Sequence, residues 1–333
     1  MTGRIGVAVS GGVDSLCALL LLKNEGRDVA ALHGRLSGDD DPDKMEKLAA
    51  ICRALDVPLL FADLRKEFAR DISGAYFEER SEGRTPNPCV RCNKIIKFGL
   101  LLSFAREAGC EKLATGHYAA KRTNIYRPGF IVARAPLNPK DQSYFLALLD
   151  GEQIDSALFP LENMTKDECR RFVANAGFAP PERRESQDIC FMKDMDRAEA
   201  LKKAGAPGAI ILRDGAGIER RIGTHRGLWL YTTGQRKGLG IPWSEPLYVL
   251  GKDIAENALF VGPLGELGQY SARIIDPVFN APFAKWPANI YIKIRSTGEP
   301  VPCVARRTDR GLEATFANRK TPVAAGQIAA FYD

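Results

Sequence analysis

The stretch Arg4-Ile-Gly-Val-Ala-Val-Ser10-Gly-Gly-Val-Asp-Ser15-Leu-Cys-Ala-Leu-Leu-Leu-Leu-Lys-Asn24 decides how this chain folds. Arg4 to Val9 is a short apolar run that reads as a buried strand, and Val13 to Asn24 reads as a helix stopped at Gly26. A strand that enters a helix through two glycines is a βα junction, and this one has the parts needed to meet an anion. Gly11 and Gly12 admit close backbone approach. The first helical turn offers unpaired N–H groups and the positive end of its dipole, and Ser10 and Ser15 add hydroxyls. The plainer alternative is a glycine turn capped by serines.

The alternation continues downstream. Asp28 to His33 reads as a second strand, Pro42 to Leu55 as a helix capped by Asp41, Pro58 to Leu64 as a third strand and Lys66 to Arg80 as a helix. That order implies an α/β fold, a parallel sheet with helices on both faces. Between Ser81 and Asn93 the pattern breaks into a Pro-rich polar loop. A helix from Lys94 to Ala108 and a strand at Lys112 to Thr115 resume it, and Thr165 with Glu168 forms a capping box. Past residue 205 the pattern changes to short strands and glycine turns. Ile290, Ile292 and Ile294 alternate with Tyr291, Lys293 and Arg295, a strand buried on one face. The division expected is a catalytic α/β domain over 1–196, a linking domain over 197–265 and a C-terminal β-barrel over 266–333.

Composition bounds the function. A chain of 333 residues, 45% hydrophobic and 26% charged, can bury a sizeable core, and no apolar run approaches the roughly 20 residues that span a bilayer. A cytoplasmic protein with no membrane partner is expected. Eight cysteines are too few for a disulfide scaffold. Net charge is only +6, but residues 213–237 hold six Arg or Lys against Asp214 and Glu219. Such a segment suits nucleic-acid phosphates, with Trp229 and Tyr231 as candidates to stack on bases.

The glycine loop has no Walker lysine and is not Gly-x-Gly-x-x-Gly. It resembles the Ser-Gly-Gly-x-Asp-Ser signature of ATP pyrophosphatases, which implies that ATP is held and AMP transferred to an oxygen. Cys89 and Cys92 form a Cys-x-x-Cys pair, and Cys190 lies in Ser186-Gln-Asp-Ile-Cys-Phe191. Cys17, Cys52, Cys110, Cys169 and Cys303 fall in apolar patterns where a thiol simply packs. A closed zinc site lacks a second close pair of ligands, and a thioredoxin-like pair would open a helix directly after a strand. Beside a zinc staple or simple packing, three thiols from two segments suit two other chemistries. They ligate three irons of a 4Fe-4S cluster whose fourth iron takes sulfide, or one carries a persulfide while another resolves the covalent intermediate.

An activated carbonyl oxygen and a delivered sulfur together amount to thiolation. The chain resembles the bacterial and organellar tRNA-specific 2-thiouridylases in Ser10-Gly-Gly-Val-Asp-Ser15, Arg84-Thr-Pro-Asn-Pro88, Cys92-Asn-Lys, Ala114-Thr-Gly-His-Tyr118, Lys140-Asp-Gln-Ser-Tyr-Phe-Leu146, Ile189-Cys-Phe191, Gly234-Gln-Arg-Lys-Gly-Leu-Gly240 and Ala325-Gly-Gln-Ile-Ala-Ala-Phe-Tyr332. The resemblance implies an ATP site, with Mg2+, lined by Ala8, Val9, Ser10, Gly11, Gly12, Val13, Asp14, Ser15, Gly34 and Gly116. It implies Cys92 as nucleophile and Cys190 as persulfide carrier, or both as cluster ligands with Cys89. It places Asn87, Pro88 and Cys89 at the target base, and His117, Lys140, Asp141, Gln142, Arg295, Ser296 and Gln327 near the tRNA. The substrate implied is the wobble uridine of tRNA, with sulfur from a cysteine desulfurase, a sulfur-relay protein or inorganic sulfide.

Two features depart from the one-cysteine version of that family. Cys89 stands where that version carries Asp, which favours a cluster, and His33 to Asp43 is short and lacks its Lys-Asn-Trp signature. The rival readings are another tRNA-modifying ATP pyrophosphatase, which would not require Cys92 and Cys190, and a non-catalytic tRNA-binding iron–sulfur protein that kept the fold.

Overall fold

In the computed structural model, which describes residues 3–36, 41–136, 140–178, 189–192, 205–215, 217–316 and 322–333, strand and helix alternate from the start. The order is β1 (Arg4–Ala8), α1 (Val13–Asn24), β2 (Val29–Arg35), α2 (Pro42–Ala54) and β3 (Leu59–Asp63). Two short helices follow, α3 (Arg65–Phe68) and α4 (Ala75–Ser81), joined by a more widely wound turn at Ala69–Gly74. Next come α5 (Pro88–Cys92) and, through another wide winding at Asn93–Leu101, α6 (Leu102–Glu107). Then β4 (Cys110–Ala114), the hairpin β5 (Ala120–Thr123) and β6 (Phe130–Ala133), α7 (Gly151–Ser156), β7 (Ala157–Leu158) and α8 (Lys166–Asn175) complete the region.

The helix ends carry the caps that the sequence announces. Asp41 accepts from the Asp43 amide at 3.1 Å, and Thr165 and Glu168 bond reciprocally, the Thr165 amide donating to Glu168 at 2.7 Å. One expectation is corrected. The Cys-x-x-Cys pair does not lie in a loop: helix begins at Pro88, because a proline at the first helical position loses no hydrogen bond and arrives with its φ already set. Cys89 and Cys92 are therefore one turn apart on the same helical face.

The sheet runs β3-β2-β1-β4-β7, parallel throughout. Ile5, Val7, Leu19, Leu20 and Ala31 are fully buried in its core, and α1 is apolar nearly all round because it packs against α8 as well as the sheet. Strand order reverses between β1 and β4. Chain leaving β1 turns toward β2, and chain leaving β4 turns toward β7, so a crevice opens at the carboxyl ends of these two neighbours.

The chain divides into two compact units, one taking in 1–73, 88–190 and 278–285, the other 74–87, 191–277 and 286–333. The second unit contains two sheets. β8 (Gly208–Arg213), β9 (Glu219–His225), β10 (Tyr248–Asp253) and β11 (Ala258–Gly262) pair in the order β10-β11-β8-β9. β12 (Ser271–Ile274), β13 (Ile290–Lys293), β14 (Val301–Thr308), β15 (Gly311–Phe316) and β16 (Ala330–Tyr332) form a curled antiparallel sheet in the order β12-β15-β14-β13-β16. Ile290 and Ile292 face its core as their alternation requires, but Lys293 is buried too, since β13 lies inside the sheet between β14 and β16.

At the crevice, a Cβ added to Gly116 would sit 2.7 Å from the Asp14 carbonyl carbon and 2.8 Å from the Ser15 nitrogen. Backbone cannot yield as a side chain can. Gly116→Ala should therefore cost about 1–3 kcal/mol in urea unfolding and weaken nucleotide binding; an unchanged midpoint would show that the loops are not locked together.

Candidate functional site

The loop after β1 is shaped by its own polar groups. Gly11 has a φ of 72°, the left-handed region, and a Cβ there would lie 2.5 Å from the Lys44 side chain. The Ser15 hydroxyl accepts from the Ser10 amide at 3.1 Å and donates to the Gly12 carbonyl at 2.9 Å. Gly12 caps α1 with no side-chain hydrogen bond. The first turn of the helix therefore keeps its anion-binding character.

Asp14 is committed elsewhere. Its carboxylate accepts from the Tyr118 hydroxyl at 2.7 Å and from Lys166 Nζ at 2.7 and 2.6 Å. Burial, followed by bonds to Cys169 and Asp14, pushes the Tyr118 hydroxyl far up, so it stays a phenol. These bonds tie α1, the loop after β4 and the start of α8 to one point, and Lys166 neutralises an acidic group that would repel phosphates. Lys44 and Lys47 of α2 line a small cavity with Val9, Gly11 and Ser15. They supply cations where the sequence shows no Walker lysine. Lys44, Lys47, Tyr118 and Lys166 were not singled out from sequence, although Lys166 directly follows the Thr165 cap and Tyr118 ends a quoted string.

Ala8 closes β1, and the Val9 carbonyl accepts from His33 Nδ1 at 2.8 Å, which fixes the imidazole tautomer. Gly34 lies in β2, where an added Cβ would make only ordinary contacts, the nearest at 3.6 Å. Sterics alone do not require glycine there.

Cys89 is exposed on α5, Cys92 is half-buried, and Cys190 is exposed on a short helical turn, Cys190–Met192. Surrounding protein pushes the Cys92 thiol up to about 11, with Cys190 and Cys89 adding to the shift and Lys97 opposing it. Desolvation by the surrounding protein pushes the Cys89 thiol up as well, with Lys97 opposing the shift and Cys190 adding to it. All three thiols thus share one electrostatic neighbourhood. Among the described residues, however, no three His, Cys, Asp or Glu side chains are placed to hold a metal ion. The cluster expected from the third thiol therefore has no ready-made ligand set among the described residues.

Several residues expected near tRNA brace the site. His117 is buried between Phe98 and Phe159, bonds Thr115 Oγ1 at 2.8 Å, and is held neutral by burial and then by Lys97. Asp141 accepts from the Ala135 amide and from the Ser143 amide and hydroxyl. Gln142 exchanges hydrogen bonds with the Tyr118 backbone, at 3.0 and 2.7 Å, while Lys140 is exposed. Pro88 is buried and Asn87 half-buried at the entry to α5.

In the second unit, Arg295 donates to the Thr233 carbonyl at 2.9 Å, with half-buried Ser296 beside it. Gln327 donates to the Thr85 carbonyl at 2.6 Å, and the Thr85 amide donates to Ala325 at 2.7 Å. The stacking expectation is corrected: Trp229 is 5% exposed and Tyr231 2%, both packed in the core, so neither presents a face to a base. Trp243, just beyond the basic segment, is exposed, with Arg220 over its ring at 5.2 Å.

Two outcomes are expected. Lys166→Met should destabilise the protein by about 1–3 kcal/mol, because Asp14 loses its charged donor; urea unfolding as stable as wild type would show that Tyr118 suffices. In a variant whose Cys89 and Cys190 are alanine, iodoacetamide should alkylate Cys92 slowly at neutral pH. The rate should keep rising roughly tenfold per pH unit beyond the ordinary thiol range, because burial, the largest cause of the shift, remains when Cys89 and Cys190 are gone, and a plateau by pH 8 would mean a resting thiolate.

Sequence comparison extends over the whole chain. Family profiles match residues 3–194 as a tRNA methyl transferase HUP domain, 199–263 as a tRNA methyl transferase PRC-barrel domain and 271–333 as an aminomethyltransferase β-barrel domain. The tRNA-specific 2-thiouridylase MnmA of Nitratidesulfovibrio vulgaris (strain Miyazaki F) is 41% identical over 340 residues, covering 99% of this chain and 95% of that protein. The protein of the same description from Lawsonia intracellularis is 36% identical over 342 residues, covering 99% and 96%. Among solved structures, the U34-tRNA thiolase NcsA of Methanococcus maripaludis with its 4Fe-4S cluster overlaps 58% of this chain and 64% of its own. That overlap has a TM-score of 0.38 and 17% identity, too slight to carry an argument.

Proposed function

The chain belongs to the tRNA-specific 2-thiouridylase family, and from that premise we propose that it uses ATP to replace the 2-carbonyl oxygen of the tRNA wobble uridine with sulfur. The observation that carries the reading is the composition of the first unit. It joins a phosphate-binding helix start at the strand-order reversal to a trio of cysteines, Cys89, Cys92 and Cys190, that influence one another.

An amide-like carbonyl oxygen leaves badly. The loop at Ser10 to Ser15, with Lys44 and Lys47, holds the triphosphate while the uridine 2-oxygen attacks the α-phosphorus, releasing pyrophosphate. Mg2+ held by the triphosphate would screen its charge, while Asp14 is itself bonded to Lys166 and Tyr118.

Sulfur arrives as a sulfane atom passed from a donor persulfide to the Cys190 thiol, leaving the donor as a thiol. The terminal sulfur attacks C2, the C2–O bond breaks, and AMP departs with the oxygen. Cys92 then loses its proton and attacks Cys190 Sγ, giving a Cys92–Cys190 disulfide and freeing the thiocarbonyl; an external thiol reduces the disulfide. The donor is a cysteine desulfurase or sulfur-relay protein. His117, neutral and apolar in its surroundings, helps to keep the site dry.

Anaerobic turnover with tRNA, ATP and a persulfide donor tests this. Pyrophosphate release should depend on tRNA, and Cys92→Ala or Cys190→Ala should each abolish the 2-thiouridine product. Thiolation retained in either variant overturns the relay. Cys89→Ala should retain it, whereas its loss alongside iron–sulfur absorption would transfer the sulfur to a cluster. The absence of tRNA-dependent pyrophosphate release would revive the non-catalytic reading.

A further inference from the structure

Among the described residues, the second unit buries two cations that have found no anion. Arg80, on α4, is 9% exposed, and its Nε has no hydrogen-bond partner among those residues. Lys252, on β10, buries its Nζ equally without a partner, and the indole Nε1 of Trp229 is a third unpartnered donor. The three side chains belong together. The Arg80 guanidinium lies over the Trp229 ring at 5.7 Å, and its positive charge depresses the Lys252 ammonium. What Arg80 does bond is neutral, the Thr232 hydroxyl at 3.4 Å.

A buried donor without an acceptor is costly, and two like charges buried side by side are costlier still. Burial, with Arg80 second, pulls Lys252 down to about 7, and burial depresses Arg80 as well. The surroundings are rigid and aromatic, with Phe77 packed on Trp229 at 5.7 Å and against Phe191 at 5.9 Å. An acceptor supplied from outside would satisfy these donors.

We propose that Arg80, Lys252 and Trp229 form a binding site for a phosphate group. A planar guanidinium, a point-charge ammonium and a neutral N–H together suit a tetrahedral oxyanion with several oxygens, better than a two-oxygen carboxylate. The ligand is a phosphodiester of bound RNA or free inorganic phosphate. The RNA source rests on the function proposed above; the free-phosphate source does not.

Thermal unfolding of the full chain decides whether the site exists. Inorganic phosphate should raise the wild-type midpoint over chloride at matched ionic strength. Lys252→Met, which removes a buried charge of similar length, should unfold no earlier than wild type in chloride and should not respond to phosphate. A wild-type midpoint indifferent to phosphate, or a Lys252→Met protein that melts earlier in chloride, overturns the proposal; the second result would mean that Lys252 is held internally.

The salt dependence of tRNA affinity separates the sources. A slope of log affinity against log salt shallower by about 0.7–0.9 in Lys252→Met assigns an RNA phosphodiester. An unchanged slope beside a phosphate-sensitive wild type assigns free phosphate. If the wild type binds no tRNA at all, the functional reading fails, and the unfolding comparison still decides the site.

Discussion

The first unit depends on one steric constraint, the approach of Gly116 to the backbone of Asp14 and Ser15. Parallel strands that reverse their order must leave a crevice beyond the carboxyl ends of the two central strands, and whatever follows those strands meets there. With no side chain at 116, the two loops come into direct backbone contact. Tyr118 and Lys166 then converge on Asp14, and the start of α1 is fixed in place. An anion site made of backbone N–H groups works only if its helix end does not move.

The thiols are tuned by a competition that burial wins. A nearby lysine favours thiolate, yet the protein packed around Cys92 keeps it a thiol, with Lys97 only moderating the shift. For a cysteine that must resolve an intermediate after substrate has bound, a protonated resting state is protection against oxidation.

In the second unit, polar side chains in family-like strings act as fasteners. Arg295 grips the backbone ahead of Gly234, and Gln327 grips Thr85. The aromatic residues of the basic segment are interior: Trp229 lies beneath Arg80 and Phe77. A local excess of positive charge carries no information about where its neighbouring rings point.

Sequence by itself determined the βα junction, the parallel alternation, the capping residues and the candidate thiols. These are written in local periods, in glycine and proline positions, and in spacings of a few residues that backbone sterics and hydrogen bonding enforce directly. It misread the helix start at Pro88 because a Pro-rich stretch resembles a loop until the chain beyond it is seen to continue one helix. Asp14, expected to line the ATP site, is also bonded to Lys166, 152 positions away, a pairing that no local pattern shows. Only the tertiary structure decided which charges are paired, which aromatics are buried and which donors are left without an acceptor. Those outcomes depend on distances between segments far apart in the chain, which no local pattern encodes.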